Sequence, residues 1–181
     1  MGFPDSFNNI FAPPMRGQEF FIMSNRKAHS TVGAVVGSIN AARCLPAGQA
    51  SIHNIAEVLG GALGGVVGSR LPDIIEPAIH SHHRSFAHSV TVASGVATKG
   101  MSISADMASW CRDQAEMFRQ RAVEHSARPD GSALAQLFYS LMEFLLHFAA
   151  GFVSGIPAGY VSHLAMDMTT PRSIPLVVRG F

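Results

Sequence analysis

Apolar positions recur along most of this chain with a helical period, and the interruptions fall at proline and glycine. Residues 28–42 (AHSTVGAVVGSINAA) carry small and β-branched side chains in a helical run. Ser24 or Asn25 can cap it, and Leu45-Pro46-Ala-Gly48 ends it. Residues 52–70 (IHNIAEVLGGALGGVVGSR) predict a second helix in which Gly60, Gly64 and Gly68 share one face and Gly61 and Gly65 lie beside it. Glycine in a helix costs about 1 kcal/mol relative to alanine, so such a row marks a face against which another helix packs closely. Leu71-Pro72 ends this helix, because the residue before proline is pushed out of the α region. Pro77 breaks the chain again, and residues 83–88 read as a loop entering a helix over roughly Ser85–Thr98.

Residues 100–131 change character. Met107, Trp110, Met117 and Phe118 alternate with Arg112, Asp113, Glu116, Arg119 and Arg121 in an amphipathic pattern, read as an inserted surface helix or as one lying on a membrane or partner. Ala127-Arg-Pro-Asp-Gly131 is a turn. From Ser132 to Met168 the chain is almost continuously apolar, with no formal charge between Glu143 and Asp167. That run passes the ~18-residue criterion for a membrane span. Glu143 and His147 interrupt one side of it, Gly151, Gly155 and Gly159 line another, and Pro157 breaks or kinks it. A pair of buried helices is therefore as good a reading as a span. Residues 1–22 form an N-terminal arm, Met23 is an alternative start, and the proline-bearing tail after Met168 is expected to be extended.

The 181 residues fit one domain, 23–181, behind that arm. A net charge of +1 gives no electrostatic case for nucleic acid. Charged residues make up 14 % of the chain against a typical quarter, and mean hydropathy is +0.23, so a large core or contact with a bilayer is expected. Cys44 and Cys111 are far apart with no CxxC spacing, which suggests neither a disulfide framework nor a thiolate zinc site.

In so apolar a chain the polar knots stand out. Residues 71–89 hold Asp73, Glu76, His80, His82, His83 and His88, and a second knot holds Ser162, His163 and Asp167. His163 and Asp167 are spaced i, i+4, which puts both on one helix face. His83 and His88 are off-register for one face and need a loop to converge. Buried ionisable groups are costly unless paired or metal-bound, and imidazole with carboxylate suits zinc, and also Mn, Fe or Ni.

The segments LPDIIEP, HRSFAHS and GYVSHLAMDMTTPRSIPL resemble the YdjM-type family of membrane-bound metal-dependent hydrolases, whose pattern runs LPDxD, HRGxTHS, SHxxxDxxTPxGxPL. The resemblance covers roughly residues 23–98 and 155–176 and includes a histidine in the first helix, matched by His29. It implies an all-α fold distantly similar to zinc-dependent phospholipase C: a compact multi-helix bundle with a His/Asp metal site between helices and an extended C-terminal tail. Carried over by position, the metal ligands are His29, Asp73, His83, His88, His163 and Asp167. Ile75 stands where the family often has a second aspartate, with Glu76 one position on, and Ser85 and Ala87 replace the usual Gly and Thr. His80 and His82 have no secure counterpart.

The implied activity is hydrolysis of a phosphoester, a phospholipid among the candidates, by metal-activated water. Glu76 is the candidate base and Arg84 the candidate for steadying an anionic oxygen. No GxSxG occurs to suggest a serine nucleophile. The expected partners are a small-molecule or lipid substrate and a membrane, with homo-oligomerisation left open. The implied location is a bacterial inner membrane or its surface, a cytoplasmic one being the alternative. Two other classes stay in view: a non-catalytic membrane protein with a structural metal, and a metal-ion transporter with Glu143 and His147 on its pathway.

Overall fold

A computed structural model describes residues 16–45, 51–76 and 87–168, with side chains from Arg26 onward. The first fifteen residues, Pro77, His80, His82, His83, Arg84 and the tail after Met168 lie outside the described residues. Every regular element described is helical: α1 (Arg16–Arg43), α2 (Ile52–Gly68), α3 (Leu71–Ile75), α4 (Val90–Gly95), a π-helical turn (Val96–Gly100), α5 (Met101–Ala127) and α6 (Ala133–Met168). The all-α bundle expected from the sequence is the observed fold.

Several boundaries differ from the sequence pattern. α1 begins at Arg16 rather than near Ala28, so His29 sits in mid-helix and not in a first turn. α4, the π-helical turn and α5 follow one another without a break, and Gly95 and Gly100 both keep helical dihedrals. The polar segment expected as a separate insertion is thus the continuation of one long helix. α6 is a single 36-residue helix with Pro157 inside it, not a pair of helices. Pro72 stands at the start of α3, where its missing N–H and fixed φ are harmless, so it opens a one-turn helix after α2 has ended.

α6 is the axis of the bundle. It packs along α2, α5 and α1, and α2 in turn packs between α1 and α6. The glycines make this possible. A Cβ on Gly60, Gly64 or Gly68 would overlap the backbone of Phe148, Phe152 or Ile156 on α6, and one on Gly65 would overlap the Gly33 carbonyl on α1. Both glycine faces expected from the sequence are therefore used, one towards α6 and one towards α1.

Packing by glycine leaves large side chains outside. The buried apolar residues are mostly alanines, such as Ala56, Ala108, Ala115 and Ala150, with Tyr160 and Leu164 the larger exceptions. On α2, Ile52, Ile55, Leu59, Leu63 and Val67 form a stripe on the outer face, with Leu59 56 % exposed, while Glu57 and the glycines face inward. α6 repeats this with Leu134, Leu137, Phe138, Leu141 and Leu145. The stripe on α2 runs for about 23 Å at 1.5 Å per residue. Two helical stretches, Ile52–Ile75 and Ala133–Met168, are long and apolar enough to cross a membrane.

Candidate metal centre

The end of α2 sets up the site. The Ser69 N–H bonds the Gly65 carbonyl and its hydroxyl donates to the Val66 carbonyl at 2.8 Å, closing the helix. The chain then turns into α3, whose single turn carries Asp73 and ends at Glu76. Across from it, Ser89 caps α4 by accepting from the Val92 N–H at 3.2 Å, which fixes His88 immediately before the helix. The Tyr160 hydroxyl on α6 donates to the Ala87 carbonyl at 2.6 Å and ties that loop end to the bundle. His163 and Asp167 follow on α6, and His29 reaches in from α1.

Two triads meet at His163, one of Asp73, His88 and His163 and the other of His29, His163 and Asp167, with the ligand atoms of each triad within 4.8 Å of one another. His88 Nε2 lies 3.4 Å from Asp73 Oδ1 and 3.7 Å from Asp167 Oδ2, and His163 Nε2 lies 3.6 Å and 3.5 Å from the same two oxygens. These distances are long for hydrogen bonds between charged partners, which close to about 2.7–2.9 Å. They fit a different object. Neighbouring donors held about 2.1 Å from one ion stand roughly 3.0–3.4 Å apart. Neither ring nitrogen of His163 has a hydrogen-bond partner among the described residues, although the ring is almost fully buried. An unsatisfied buried imidazole is expensive, and a metal ion would satisfy it. His29 extends the set: its Nε2 is 3.5 Å from Asp167 Oδ1, the carboxylate's other oxygen, and its ring lies 4.1 Å from that of His163.

Family models, curated proteins and solved structures offer no match to the chain. The site therefore rests on its own geometry. Of the residues expected from the sequence, the fold brings together His29, Asp73, His88, His163 and Asp167. His83 and Arg84 fall outside the described residues. Glu76 is on the other side of the His88 ring, its Oε2 3.3 Å from Nδ1. From there the carboxylate can orient the His88 ring.

Burial of His88 works against its charge, but the adjacent carboxylates of Asp73, Glu76 and Asp167 outweigh it and raise its pKa.

The centre is open on one side. Asp73 is 47 % exposed whereas His88, His163 and Asp167 are almost fully buried. A cleft of about 710 Å³ contains His29 and Asp73 together with Arg26, Lys27 and Arg70. Arg70 is held there by its Nε, which donates to Ser30 Oγ at 3.1 Å.

A second polar cluster was only half visible in the sequence. His53 and Glu57 on α2 face Glu143 and His147 on α6, with Arg112 from α5 completing the group. Each helix pair is spaced i, i+4, the same signal that singled out His163 and Asp167.

Proposed function

We propose that the chain is a membrane-embedded, metal-dependent hydrolase of phosphoesters, with lipid phosphoesters its foremost substrates. The observation that carries this reading is the cleft that joins Asp73 and its neighbour His29 to three cationic side chains. Zinc suits a mixed imidazole and carboxylate donor set.

His88, His163, Asp73 and Asp167 would hold the ion, with His29 against the outer oxygen of Asp167. A divalent ion so held would lower the pKa of water towards roughly 7 and polarise a phosphoryl oxygen. The chain's own residues do the rest. Glu76 fixes the ring of His88, and Arg26, Lys27 and Arg70 attract and orient an anionic substrate at the mouth of the cleft. The half-exposed Asp73 leaves the centre a way in from solvent, which favours a catalytic site over a closed structural one. Arg84, two residues after His82, stays a candidate for the same anion.

The membrane part of the proposal rests on the outward aliphatic stripes of α2 and α6. Monomeric proteins in water seldom expose apolar patches of that length, and glycine-lined helix contacts are the usual means of packing in a bilayer. An apolar groove of about 580 Å³ between α1 and α6, lined by Val32, Val36, Ile39, Val161 and Ala165 among others, is suited to an acyl chain. The YdjM-type resemblance points the same way.

The test is phosphodiester and phospholipid hydrolysis by detergent-purified protein, metal-loaded and after exhaustive chelation. Activity that zinc restores to the stripped wild type but not to Asp167→Asn supports the proposal. Activity surviving chelation overturns it.

A further inference from the structure

We propose that His53, Glu143 and His147 form a second divalent-metal site, independent of the first, that clamps α2 to α6. One ligand atom from each of the three residues lies within 4.8 Å of the others. Two imidazoles and a carboxylate are a donor set that zinc accepts with a fourth position left for water.

Two distances within this cluster separate a ligand from its support. His53 Nδ1 is 3.5 Å from Glu143 Oε1, too far for a charge-assisted hydrogen bond and close to the spacing of two donors around one ion. His147 Nδ1 is 2.7 Å from Glu57 Oε1, a short hydrogen bond. That bond occupies one nitrogen of His147 and leaves Nε2 with its lone pair to offer. Glu57 is committed elsewhere, because the Arg112 guanidinium donates to both of its oxygens at 2.8–3.1 Å. The order Arg112, Glu57, His147, ion is the arrangement by which a carboxylate fixes the tautomer of a metal-bound histidine.

Glu143 supplies the second, independent reason. It is 5 % exposed, and the nearest ion-pair partner found for its carboxylate among the described residues is His53 Nδ1 at 3.5 Å. Arg119, the nearby cation on α5, is engaged by Glu116 at 2.7 Å. A carboxylate this buried, with its ion-pair partner 3.5 Å away and Arg119 already engaged by Glu116, is under-compensated, and a cation between Glu143 and the two histidines would offset its charge. The His53 and His147 rings are stacked with centroids 4.9 Å apart, and both side chains are about a quarter exposed, so an ion can enter from solvent. The site is distinct from the first: residues 147 and 163 are about 24 Å apart along α6 at 1.5 Å per residue.

The experiment is zinc stoichiometry of the full chain in detergent, by equilibrium dialysis with elemental analysis, in wild type, Glu143→Gln, His53→Gln and Asp167→Asn. Glu143→Gln and His53→Gln should each lose about one equivalent that Asp167→Asn retains. Unchanged stoichiometry in both would overturn the proposal. Because a variant can fail to fold, the wild type is also treated with diethyl pyrocarbonate, with and without zinc, and modified histidines are located by mass spectrometry. Zinc should protect His53 and His147, in wild type and in Asp167→Asn. Equal modification with and without zinc would overturn the proposal whatever the variants do.

Discussion

Gly33→Ala tests how the glycine contacts set the metal centre. Gly33 lies one turn after His29 on α1 and faces the end of α2. A Cβ there would come 2.6 Å from Ser69 Cβ and 2.8 Å from Ser69 Oγ, and would also overlap the Gly65 carbonyl. Carbon atoms in good contact stand about 3.5–4.0 Å apart, so α1 and the Ser69 turn must separate by about 1 Å. Overpacking of this kind costs about 1–3 kcal/mol, and the better helix propensity of alanine returns about 1 kcal/mol. The net loss of stability should be about 0–2 kcal/mol. The larger effect is on the metal. His29 rides on α1 and Asp73 follows the Ser69 turn, so the same 1 Å shifts the ligand Asp73 relative to His29, the support of Asp167, whereas metal bonds tolerate about 0.2 Å. Zinc affinity should fall by about 10–100-fold, the range seen when even a supporting group is removed. The assay is competition with a chromogenic zinc chelator, beside thermal unfolding. Wild-type zinc affinity in a folded Gly33→Ala protein would refute the idea that this contact holds the ligands in register.

Gly95→Ala is the matching control, since Gly95 has helical dihedrals and a Cβ would meet nothing within 4 Å. It should raise stability by about 0.5–1 kcal/mol in a denaturation curve and leave zinc affinity unchanged. Arg112→Ala removes the bidentate partner of Glu57, which is 2 % exposed, and should destabilise by about 3 kcal/mol, with Glu57→Gln recovering part of the loss in the double variant. Zinc titrated by calorimetry near pH 6.5 in two buffers should release protons, because the raised pKa of His88 keeps it protonated until the ion displaces the proton. The metal-free protein should show the converse. Stabilisation from charged His88 is fully present below its unfolded pKa of about 6.5 and is lost as pH rises through the higher folded value, so melting points should fall between pH 6 and pH 8. Saturating zinc should instead stabilise more as pH rises.

The parts of this molecule that were legible in the sequence are those with a local period. The glycine faces of α2 follow from its own spacing, and His163 and Asp167 share a face because i, i+4 always does. Asp73 and His88 stood out as part of a polar knot in an apolar chain, whereas His29 was legible only through the resemblance to a motif pattern, since nothing local tells it from any other helical histidine. The missed features are set by tertiary partners. Pro157 stays inside α6, although proline commonly interrupts a helix, in a stretch almost wholly buried between α2 and α1. The helix expected over Ser85–Thr98 begins at Val90 among the described residues, and it joins the polar segment after it because Gly95 and Gly100 both take helical dihedrals. His53-xxx-Glu57 and Glu143-xxx-His147 carry the same spacing as the first site, but each pair looks ordinary until α2 and α6 are laid side by side. The outward turn of Leu59 and Leu63 was likewise hidden, because an apolar stripe reads the same whether it faces protein or lipid.

The central claim is that His88, His163, Asp73 and Asp167 surround one ion. Anomalous diffraction at the zinc edge from crystals of the zinc-loaded wild type tests it most directly. The account predicts a peak about 2.0–2.2 Å from His88 Nε2, His163 Nε2 and an oxygen of each aspartate. A well-ordered site with these four residues in place and no anomalous peak between them would contradict it.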